Sequence, residues 1–368
     1  MSLLREVEFS DLDGVRALTV VAGWAAPTSR AWQKVWTENP ATREGQAPLK
    51  RGWVLEHNGE IVGFLSNIPQ AYTFGDRLLR AAVATALVVR PDFRGEALKL
   101  VIAYVRQEGA DLLLNTTAGP ETAKIFEYLK FTPLPQSGYQ RSLYWVLRNR
   151  AFVTSALVKM SSSAVLGAIG GAAIAPVFAV TNRIRGQRPG TTRGPVTIQV
   201  RQASGIGLEF DELWRTKSSR LDILWAVRDS ATLRWHFGPD TNTHPPTIIC
   251  AFDDGRLMGY MVVVRQDAPR LRLNRARIAD LLVVDDGANT IQQLLGAACD
   301  VAKAGGACML EAVGFPERIQ RVYQASRPYQ LWNHANPFWY RAADPQLHRT
   351  LSDPDRWYAC LYDGDGAL

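Results

Sequence analysis

The pattern of apolar and polar positions is most distinctive between residues 82 and 108. Residues 82–89 are nearly continuously apolar, with Thr85 as the one polar side chain, as expected of a central strand covered on both faces. Arg90-Pro91 then interrupts the run. Beyond Arg94, apolar residues recur at the spacing of one helix face: Leu98, Val101, Ile102 and Val105. The pattern predicts a buried strand, a basic turn and an amphipathic helix that begins at the turn.

The flanking segments add elements of both kinds. The sequence predicts a short strand over 5–9, a helix capped by Ser10 or Asp11, and strands over 53–56 and 60–65 joined by His57-Asn58-Gly59. Asn-Gly is a strong hairpin signal because both residues tolerate positive φ. A further strand over 112–115 and a helix over 120–130 follow. Strands that alternate with helices in this way predict an α/β fold.

The second half repeats the first at a nearly constant offset. Gly63-Phe64 corresponds to Gly259-Tyr260, and 259 minus 63 is 196. Val284, at the end of the second central strand 277–284, corresponds to Val88, and the strand 112–115 corresponds to 308–311; both offsets are again 196. The pair Trp36 and Pro40 is matched by Trp235 and Pro239 at an offset of 199. Four matches in register predict an internal duplication, with domains over 1–148 and 195–368 and a linker over 149–194.

The linker region carries the positive charge of the chain. Residues 128–208 contain ten Lys or Arg and no Asp or Glu; subtracting ten from the net charge of +7 leaves about −3 elsewhere. Its uncharged part, 160–180, is rich in Ala, Gly and Ser and weakly hydrophobic for a membrane span. Two interpretations stay open: a helical linker packed against the domains, or a segment within 150–193 that lies on an anionic membrane surface.

Composition narrows the class of protein. A length of 368 residues favours two domains, and a hydrophobic content of 47% is sufficient for packed cores. The four cysteines show neither pairing nor metal-ligand spacing, which argues against a zinc site and suits a reducing compartment. Residues 1–8 lack the apolar core of a signal peptide. We therefore expect a cytoplasmic protein without a bound metal, in contact with membrane at most through its linker.

The two copies differ at the turn after the central strand. In the first copy the helix N-terminus lies close to Arg90, Arg94 and Lys99, and free N–H groups together with the helix dipole could receive a pyrophosphate there. The second copy has Asp285-Asp286-Gly287 at this place, and two carboxylates repel a pyrophosphate. A phosphate-bearing ligand is therefore expected in the first copy only.

At these residues the chain resembles the GNAT superfamily of acyl-CoA-dependent N-acyltransferases. The segment 89–97, Val-Arg-Pro-Asp-Phe-Arg-Gly-Glu-Ala, is similar to the Val-x-Pro-x-Tyr-Arg-Gly segment that leads into the CoA-binding turn of that family. The resemblance implies two tandem GNAT-like domains, each with a mixed central sheet flanked by helices. It also implies a site for acetyl-CoA or another acyl-CoA, formed by Val88, Val89, Arg94, Gly95, Glu96, Ala97 and Lys99.

The chain departs from the family pattern at four positions. Ala97 and Lys99 stand where the family has small residues, and Lys99 either adds charge for a phosphate or fills the pocket. Phe126 and Lys130 stand where the family often has a tyrosine, the acid for the leaving thiolate, and a glycine. The resemblance therefore does not supply a proton donor on this helix.

Three residues are candidates for the remaining chemistry. Asp280 interrupts an apolar strand, so its carboxylate must be paired or titrate abnormally, either as a catalytic base or in a structural ion pair with Arg275 or Arg277. Glu311 ends the next strand of the second copy. Asn115 ends the corresponding strand of the first copy and either orients the substrate or caps the strand. The acidic, Gly-rich end of the chain, 356–368, either folds over a cleft or stays loose.

The sequence thus predicts an acyltransferase that moves an acetyl group from CoA to an amine. Aromatic clusters such as Trp32 with Trp36 suggest an amino sugar of surface-polysaccharide synthesis as the acceptor, although core packing explains them equally well. A Fem-like transferase that uses aminoacyl-tRNA is one alternative, but nucleic acid needs a broad basic face and the positive charge lies in the linker. A catalytically inactive pair of domains that serves as a scaffold is the other. An open gap between the strands of the first copy would count against the scaffold.

Overall fold

The computed structural model describes residues 2–42, 48–161, 164–185, 194–220, 222–238, 244–332 and 337–366, with the backbone alone over 161 and 164–173. The first half contains β1 (Leu3–Glu6), α1 (Leu12–Val21), α2 (Ser29–Thr37), β2 (Gly52–His57), β3 (Glu60–Phe74), β4 (Arg77–Val89), α3 (Ala97–Val105), β5 (Leu112–Asn115), α4 (Pro120–Tyr128), β6 (Thr132–Pro133) and β7 (Arg141–Val146).

Two linker helices and the second half follow. These elements are α5 (Asn149–Ser161), α6 (Ala164–Arg185), β8 (Thr197–Gln202), α7 (Glu209–Ser218), β9 (Leu224–Ala226), α8 (Ser230–Phe237), β10 (Thr247–Asp253), β11 (Arg256–Arg265), β12 (Arg275–Val283), α9 (Ala288–Ala304), β13 (Met309–Val313), α10 (Glu317–Gln324), β14 (Tyr329–Trp332), β15 (Trp339–Ala342), α11 (Pro345–Thr350) and β16 (Trp357–Tyr358).

The described strands form two mixed sheets. The first has the order β1-β2-β3-β4-β5-β15-β6, with β9 on the far part of β3 and β16 beside β9. The second has the order β14-β7-β13-β12-β11-β10-β8. In the first sheet β3 and β4 form a long antiparallel hairpin, and β11 and β12 pair in the same way in the second sheet. The next pair in each sheet, β4 with β5 or β12 with β13, is parallel. The predicted fold class, two tandem mixed sheets flanked by helices, is confirmed.

The local patterns explain these elements. Asn58 and Gly59 have φ of 51° and 81°, the conformation that a tight hairpin turn requires. The first central strand is longer than predicted, because β4 starts at Arg77. The helix after it starts later than predicted, because residues Pro91–Glu96 form a 3₁₀ turn before α3.

The two halves exchange strands. Strand β7 precedes residue 148 but pairs with β13 and β14 in the second sheet. Strand β15 comes from the second half and pairs with β5 and β6 in the first sheet. Each sheet therefore contains strands from both sides of the predicted boundary at residue 148. That boundary was placed from the sequence repeat, and as a domain boundary it stays a prediction.

The repeated helices α2 and α8 contact each other. Trp235 Nε1 donates to Lys34 O at 2.9 Å, and Lys34 Nζ donates to His236 O at 3.3 Å. Trp36 and Trp235, which the repeat aligns, are both buried on these helices. Pro239, aligned with Pro40, lies outside the described residues.

The linker forms two helices that pack against the second half. Helices α5 and α6 pack against each other, and Ser155 Oγ donates to Arg272 O at 2.8 Å. Arg185 Nη2 donates to Pro328 O at 3.1 Å. Residues 149–161 and 164–185 are thus helical and contact the second half, and 186–193 lie outside the described residues; the division into two domains and a linker stays a prediction.

Candidate active site

Strands β4 and β5 separate near the middle of the first sheet. Their ladder joins Ala81–Val83 to Leu112–Leu114 and ends there, although β4 continues to Val89. Tyr104 Oη donates to Ala82 O and Leu114 O at 2.8 and 3.0 Å, and Asn115 Nδ2 donates to Ala84 O at 2.9 Å. Side-chain hydrogen bonds thus replace ladder bonds at the point where the strands diverge. A V-shaped gap opens beyond it.

A β-bulge lies on β4 inside this gap. Phe64 pairs with Val88 and Ser66 pairs with Thr85, so the two residues 86 and 87 face the single residue 65. Ala86 has a φ of 51°, an uncommon conformation for a residue with a Cβ. Bulges re-aim side chains beside functional sites.

The tail, defined here as residues 359–366, reaches this gap. The Asp365 carboxylate accepts hydrogen bonds from the hydroxyl groups of Thr85, Thr116 and Thr117; the last two span 2.9 and 3.2 Å. Thr85 belongs to β4, and Thr116 and Thr117 follow β5. The carboxylate therefore bridges the gap. Sequence analysis left the acidic tail either folded over a cleft or loose, and through residue 366 it is folded.

Buried contacts hold the tail in place. Asp363 accepts from Tyr72 Oη and from the Cys360 backbone N–H, both at 2.9 Å. Burial raises the pKa of Asp363 to about 6, an effect that the nearby Arg228 guanidinium opposes. Gly364 has a φ of 91°, and a Cβ there would lie 2.3 Å from the Thr116 hydroxyl oxygen. Only glycine fits this position.

A cavity of about 260 Å³ separates the two halves beside Asp365. Its lining comes from both halves: Thr116, Thr117, Tyr139, Gln140, Arg277, Val313, Leu361, Asp363 and Gly366. Burial raises the pKa of the Tyr139 phenol far above its usual value, and the nearby acidic groups Asp363 and Asp365 add to the shift. The gap of the first sheet thus leads to a cleft that contains a protonated phenol.

The equivalent gap in the second sheet is filled. Strands β12 and β13 pair only over Arg275–Ile278 and Met309–Ala312. Beyond this ladder, Tyr358 Oη donates to Leu281 O and Cys360 Sγ donates to Ala279 O at 3.5 Å. The chain's own segment 358–360 thus lies across this gap, whereas the side chains of Asn115 and Asp365 cross the gap of the first sheet.

The N-terminus of α9 in the second half carries its own acidic groups. Asp285 accepts from the Gly287 N–H at 2.8 Å. Asp286 forms ion pairs with Lys217 at 2.6 Å and with Arg318 at 3.0 Å. A phosphate would compete with carboxylates already in place.

The predicted donor-binding residues follow the gap of the first sheet. Val88 and Val89 end β4, Arg94, Gly95 and Glu96 belong to the 3₁₀ turn, and Ala97 and Lys99 belong to the first turn of α3. Arg94 and Gly95 are exposed. A Cβ on Gly95 would meet no atom within 4 Å, so the space beside this turn is open.

Two of the three predicted phosphate-binding cations have acidic partners. Arg90 pairs with Asp92 at 2.8 Å and Glu60 at 3.1 Å. Lys99 pairs with Glu96 at 2.5 Å, and hydrogen bonds from Lys99 and Ser2 lower the pKa of Glu96 to about 2. Arg94 has no side-chain partner among the described residues, so it is the cation most available to an anion.

Asp280 lies in a buried ion pair. Its carboxylate accepts from Arg228 Nε at 3.0 and 3.1 Å and from Tyr260 Oη at 2.7 Å. Asp280 and Arg228 are both 0% exposed. The arginine that binds Asp280 is thus Arg228, not Arg275 or Arg277 as the ion-pair alternative proposed.

Glu311 and Asn115 lie in different sheets. Glu311 pairs with Arg277 at 2.7 Å and Arg275 at 3.3 Å, and Arg277 lines the cleft cavity. Glu311 therefore contacts the cleft through an arginine. Asn115 bridges to Ala84 at the opening of the first gap, and its buried Oδ1 has no partner among the described residues.

The helix that lacks the family tyrosine contributes only to the core. Phe126 is fully buried against Tyr104 and Phe131, and Tyr128 is 77% exposed. Lys130 has a φ of 65°, the left-handed conformation that the glycine of the family pattern would adopt without strain.

Sequence analysis did not identify the cluster around Asp365. Asp365, Thr116, Thr117 and Tyr139 come from three separate segments that only the folded chain brings together. Two local signals were present: the acidic tail 356–368, and Thr85, a lone polar residue in an apolar strand. Thr85 is the one that contacts the tail. Its hydroxyl binds the Asp365 carboxylate.

In the described part of the chain, no helix has both the length and the apolar character needed to cross a membrane.

Comparison with solved structures identifies the fold. A GCN5-related N-acetyltransferase from Anabaena variabilis ATCC 29413 superimposes with a TM-score of 0.58 at 9% identity, over 94% of this chain and 73% of that one. A GCN5-related N-acetyltransferase from Kribbella flavida gives 0.54 at 13% identity, over 94% and 71%. The Saccharomyces cerevisiae N-myristoyltransferase with bound myristoyl-CoA gives 0.55 at 12% identity, over 93% and 79%. No family model and no curated protein sequence matches this chain.

Proposed function

We propose that this chain, which has the tandem fold of the GNAT N-acyltransferases, transfers an acyl group from acyl-CoA to an amine. The observation that carries the proposal is the contrast between the two gaps. In the first sheet the pairing of β4 with β5 stops at Val83, the Asp365 carboxylate bridges the gap beyond it, and the following turn carries an arginine without a side-chain partner among the described residues. The gap of the second sheet is filled by residues 358–360. The donor site is therefore proposed for the first half.

The residues of the first gap fit acyl-CoA as a substrate. Arg94 can pair with the pyrophosphate, and the exposed turn at Gly95 leaves space for it. Beyond Val83 the edge of β4 has no β5 partner, so it can form hydrogen bonds with the two amide groups in the arm of CoA. Lys99 pairs with Glu96, which counts against the inactive scaffold in which Lys99 fills the pocket.

Asp365 is the proposed proton acceptor. An amine enters as an ammonium ion, and its nitrogen becomes a nucleophile when the carboxylate takes one proton. The nitrogen then forms a bond to the thioester carbonyl carbon and loses its second proton to water, while the carbon–sulfur bond breaks and the electron pair leaves with sulfur. The proton that the nitrogen gave to water converts the thiolate to the thiol, and Asp365 releases its own proton to solvent. The products are an amide, CoA thiol and one proton.

Acetyl is the proposed acyl group, as the sequence resemblance implies. The amino-sugar acceptor rested on aromatic clusters, and the rings of Trp32 and Trp36 pack together in the core with centroids 4.2 Å apart. Because this packing accounts for the cluster, a sugar acceptor forms no part of the proposal.

The test is an assay of CoA thiol released from acetyl-CoA in the presence of a panel of primary amines. Asp365→Asn is expected to lower kcat/KM roughly 10²- to 10⁴-fold, the usual contribution of a general base, and to leave acetyl-CoA binding unchanged. The control is Asp254→Asn, an exposed acid in a turn of the second half with a φ of 44° that asparagine tolerates. Full activity of Asp365→Asn would remove the proposed base. Absence of transfer to every amine by wild type would refute the proposed function.

A further inference from the structure

We infer that a second cavity in the first half is the subsite for the acceptor, and that it takes a primary amine with an apolar body. This inference rests on the proposed acyl transfer. The cavity has a volume of about 200 Å³ and lies between α1, α2 and the bulged part of the β3–β4 hairpin.

The lining of this cavity contains no charged side chain. Its walls are Val15, Thr19, Trp24, Ala25, Pro27, Ala31, Trp32, Val35, Trp36, Phe64, Ser66, Ile68, Thr85 and Ala86. Trp32 and Trp36 are buried, whereas Trp24 is 50% exposed, so Trp24 forms the wall on the solvent side. Walls of this kind bind aryl or alkyl groups and leave a charged or polyhydroxylated body without partners.

The cavity adjoins the proposed base. Thr85 and Ala86 form part of its wall, and the Thr85 hydroxyl donates to Asp365. The carboxylate is thus one side chain, Thr85, away from the cavity, and we infer that the ammonium group of an amine held there reaches it past Thr85. The single negative charge beside an uncharged cavity favours a monoamine with its nitrogen at one end.

Trp32 presents ring carbons to the cavity. Its indole Nε1 is buried beyond the reach of solvent and has no hydrogen-bond partner in the described structure. The neighbouring Trp36 Nε1 donates to Asn67 O at 3.2 Å. A ligand in the cavity therefore meets the apolar surface of both tryptophans.

Three probes separate these features: phenethylamine, 4-methoxyphenethylamine and glucosamine. We expect kcat/KM for the two aryl amines to exceed that for glucosamine at least tenfold. Trp32→Phe keeps an aromatic ring but removes part of the apolar wall, and it should raise KM for both aryl amines about equally. Ala31→Leu, which fills the cavity, should raise KM for both aryl amines. Trp332→Phe at an exposed site is the control.

Binding is also measured without turnover, by the change in tryptophan fluorescence when phenethylamine is added in the absence of acetyl-CoA. No fluorescence change, or equal use of glucosamine and the aryl amines, would overturn the subsite. If the protein still bound acetyl-CoA, the proposed function would stand. If the protein bound the aryl amines but did not bind acetyl-CoA, the proposed function would be overturned instead.

A separate observation concerns the outer face of α6. At about 100° per residue, four apolar residues share one side of this helix: Ile174, Val177, Val180 and Ile184. Their exposure is 46, 67, 58 and 80%. The opposite side, with Ala175 and Phe178, is the one that packs inward: Ala175 is buried and Phe178 stacks on Phe152 of α5. Helix α6 therefore has a second apolar side that nothing in the described structure covers.

The charge around this face is positive. Residues 129–208 contain no Asp or Glu, and Arg150, Lys159 and Arg183 have no side-chain partner among the described residues. An apolar helix face flanked by unpaired cations matches the interface of an anionic bilayer. We propose that this face of α6 rests on an anionic lipid surface without crossing it.

Sedimentation with vesicles tests the second proposal. The full chain should bind vesicles of phosphatidylcholine with phosphatidylglycerol, and not vesicles of phosphatidylcholine alone, with binding that weakens as salt is raised. Val177→Asp together with Ile184→Asp should abolish binding. Leu208→Asp, which changes an exposed apolar residue outside α5 and α6, should not. Equal binding by the double variant, or binding to RNA in place of vesicles, would overturn the proposal.

Discussion

The buried pair of Arg228 and Asp280 makes a quantitative prediction that separates a structural role from a catalytic one. Both side chains are fully buried, and Asp280 accepts two hydrogen-bond contacts from Arg228 and one from Tyr260. Asp280→Ala leaves the guanidinium without this counterion. The nearest other acid is Asp363, whose carboxylate lies 3.7 Å from Arg228 Nη2.

Removing one partner of a buried ion pair costs about 3 to 5 kcal/mol, because the remaining charge stays desolvated. The lost Tyr260 hydrogen bond adds about 1 kcal/mol, and stronger pairing of Arg228 with Asp363 offsets part of the total. We therefore expect Asp280→Ala to lower the free energy of unfolding by about 3 to 5 kcal/mol.

Urea unfolding followed by far-UV circular dichroism measures this change. The double variant Arg228→Met with Asp280→Leu replaces both charges by apolar groups and should recover most of the loss. If Asp280→Ala instead kept the stability of wild type within about 0.5 kcal/mol, the usual range of surface substitutions, and lost acyl transfer, Asp280 would be the base that its position in the strand suggested. Asp365 would then lose that role.

Three further predictions concern the tail. The pKa of Asp363 is about 6, above the ordinary 3.8, so the contribution of its protonated form to stability is complete below about pH 4 and is lost as pH rises through 6. Asp363→Asn should therefore flatten the plot of unfolding free energy against pH in that window. An unchanged slope would contradict the assignment. Gly364→Ala places a Cβ against Thr116 and should reduce acyl transfer at least tenfold, whereas Gly255→Ala, at a φ of 79° with no atom within 4 Å, should only lower stability by about 1 kcal/mol. Cys360 is buried and its thiol pKa is raised by burial, so iodoacetamide should alkylate it in urea and not in the native protein, as peptide mass spectrometry would show.

Local sequence patterns predicted much of the fold. The hairpin turn at Asn58-Gly59 depends on two residues with positive φ, and the central strands depend on continuous apolar runs. These signals lie within a few residues, and the duplication presents each of them twice. The strand exchange has no local signal, because the apolar pattern of residues 141–146 suits a strand of either sheet.

The candidate site was predictable only in part for the same reason. The turn at Arg94 was found because its residues are contiguous in the chain. The partner of Asp280 was sought among nearby arginines, but Arg228 lies 52 residues away. Asp365 and Thr85 are 280 residues apart, and their contact depends on a tail that first passes through the second half. Long-range contacts of this kind follow from tertiary packing.

Calorimetry of acetyl-CoA binding tests the central claim most directly, because it asks where the donor binds without requiring the acceptor. Arg94→Ala removes the unpaired arginine beside the first gap, and Arg256→Ala removes an exposed arginine of the second half and changes the net charge equally. We predict that wild type and Arg256→Ala bind alike and that Arg94→Ala binds more weakly by about 1.5 to 3 kcal/mol, the scale of a hydrogen bond to a charged group. Equal binding by all three proteins, or no binding by wild type, would contradict a donor site in the first half.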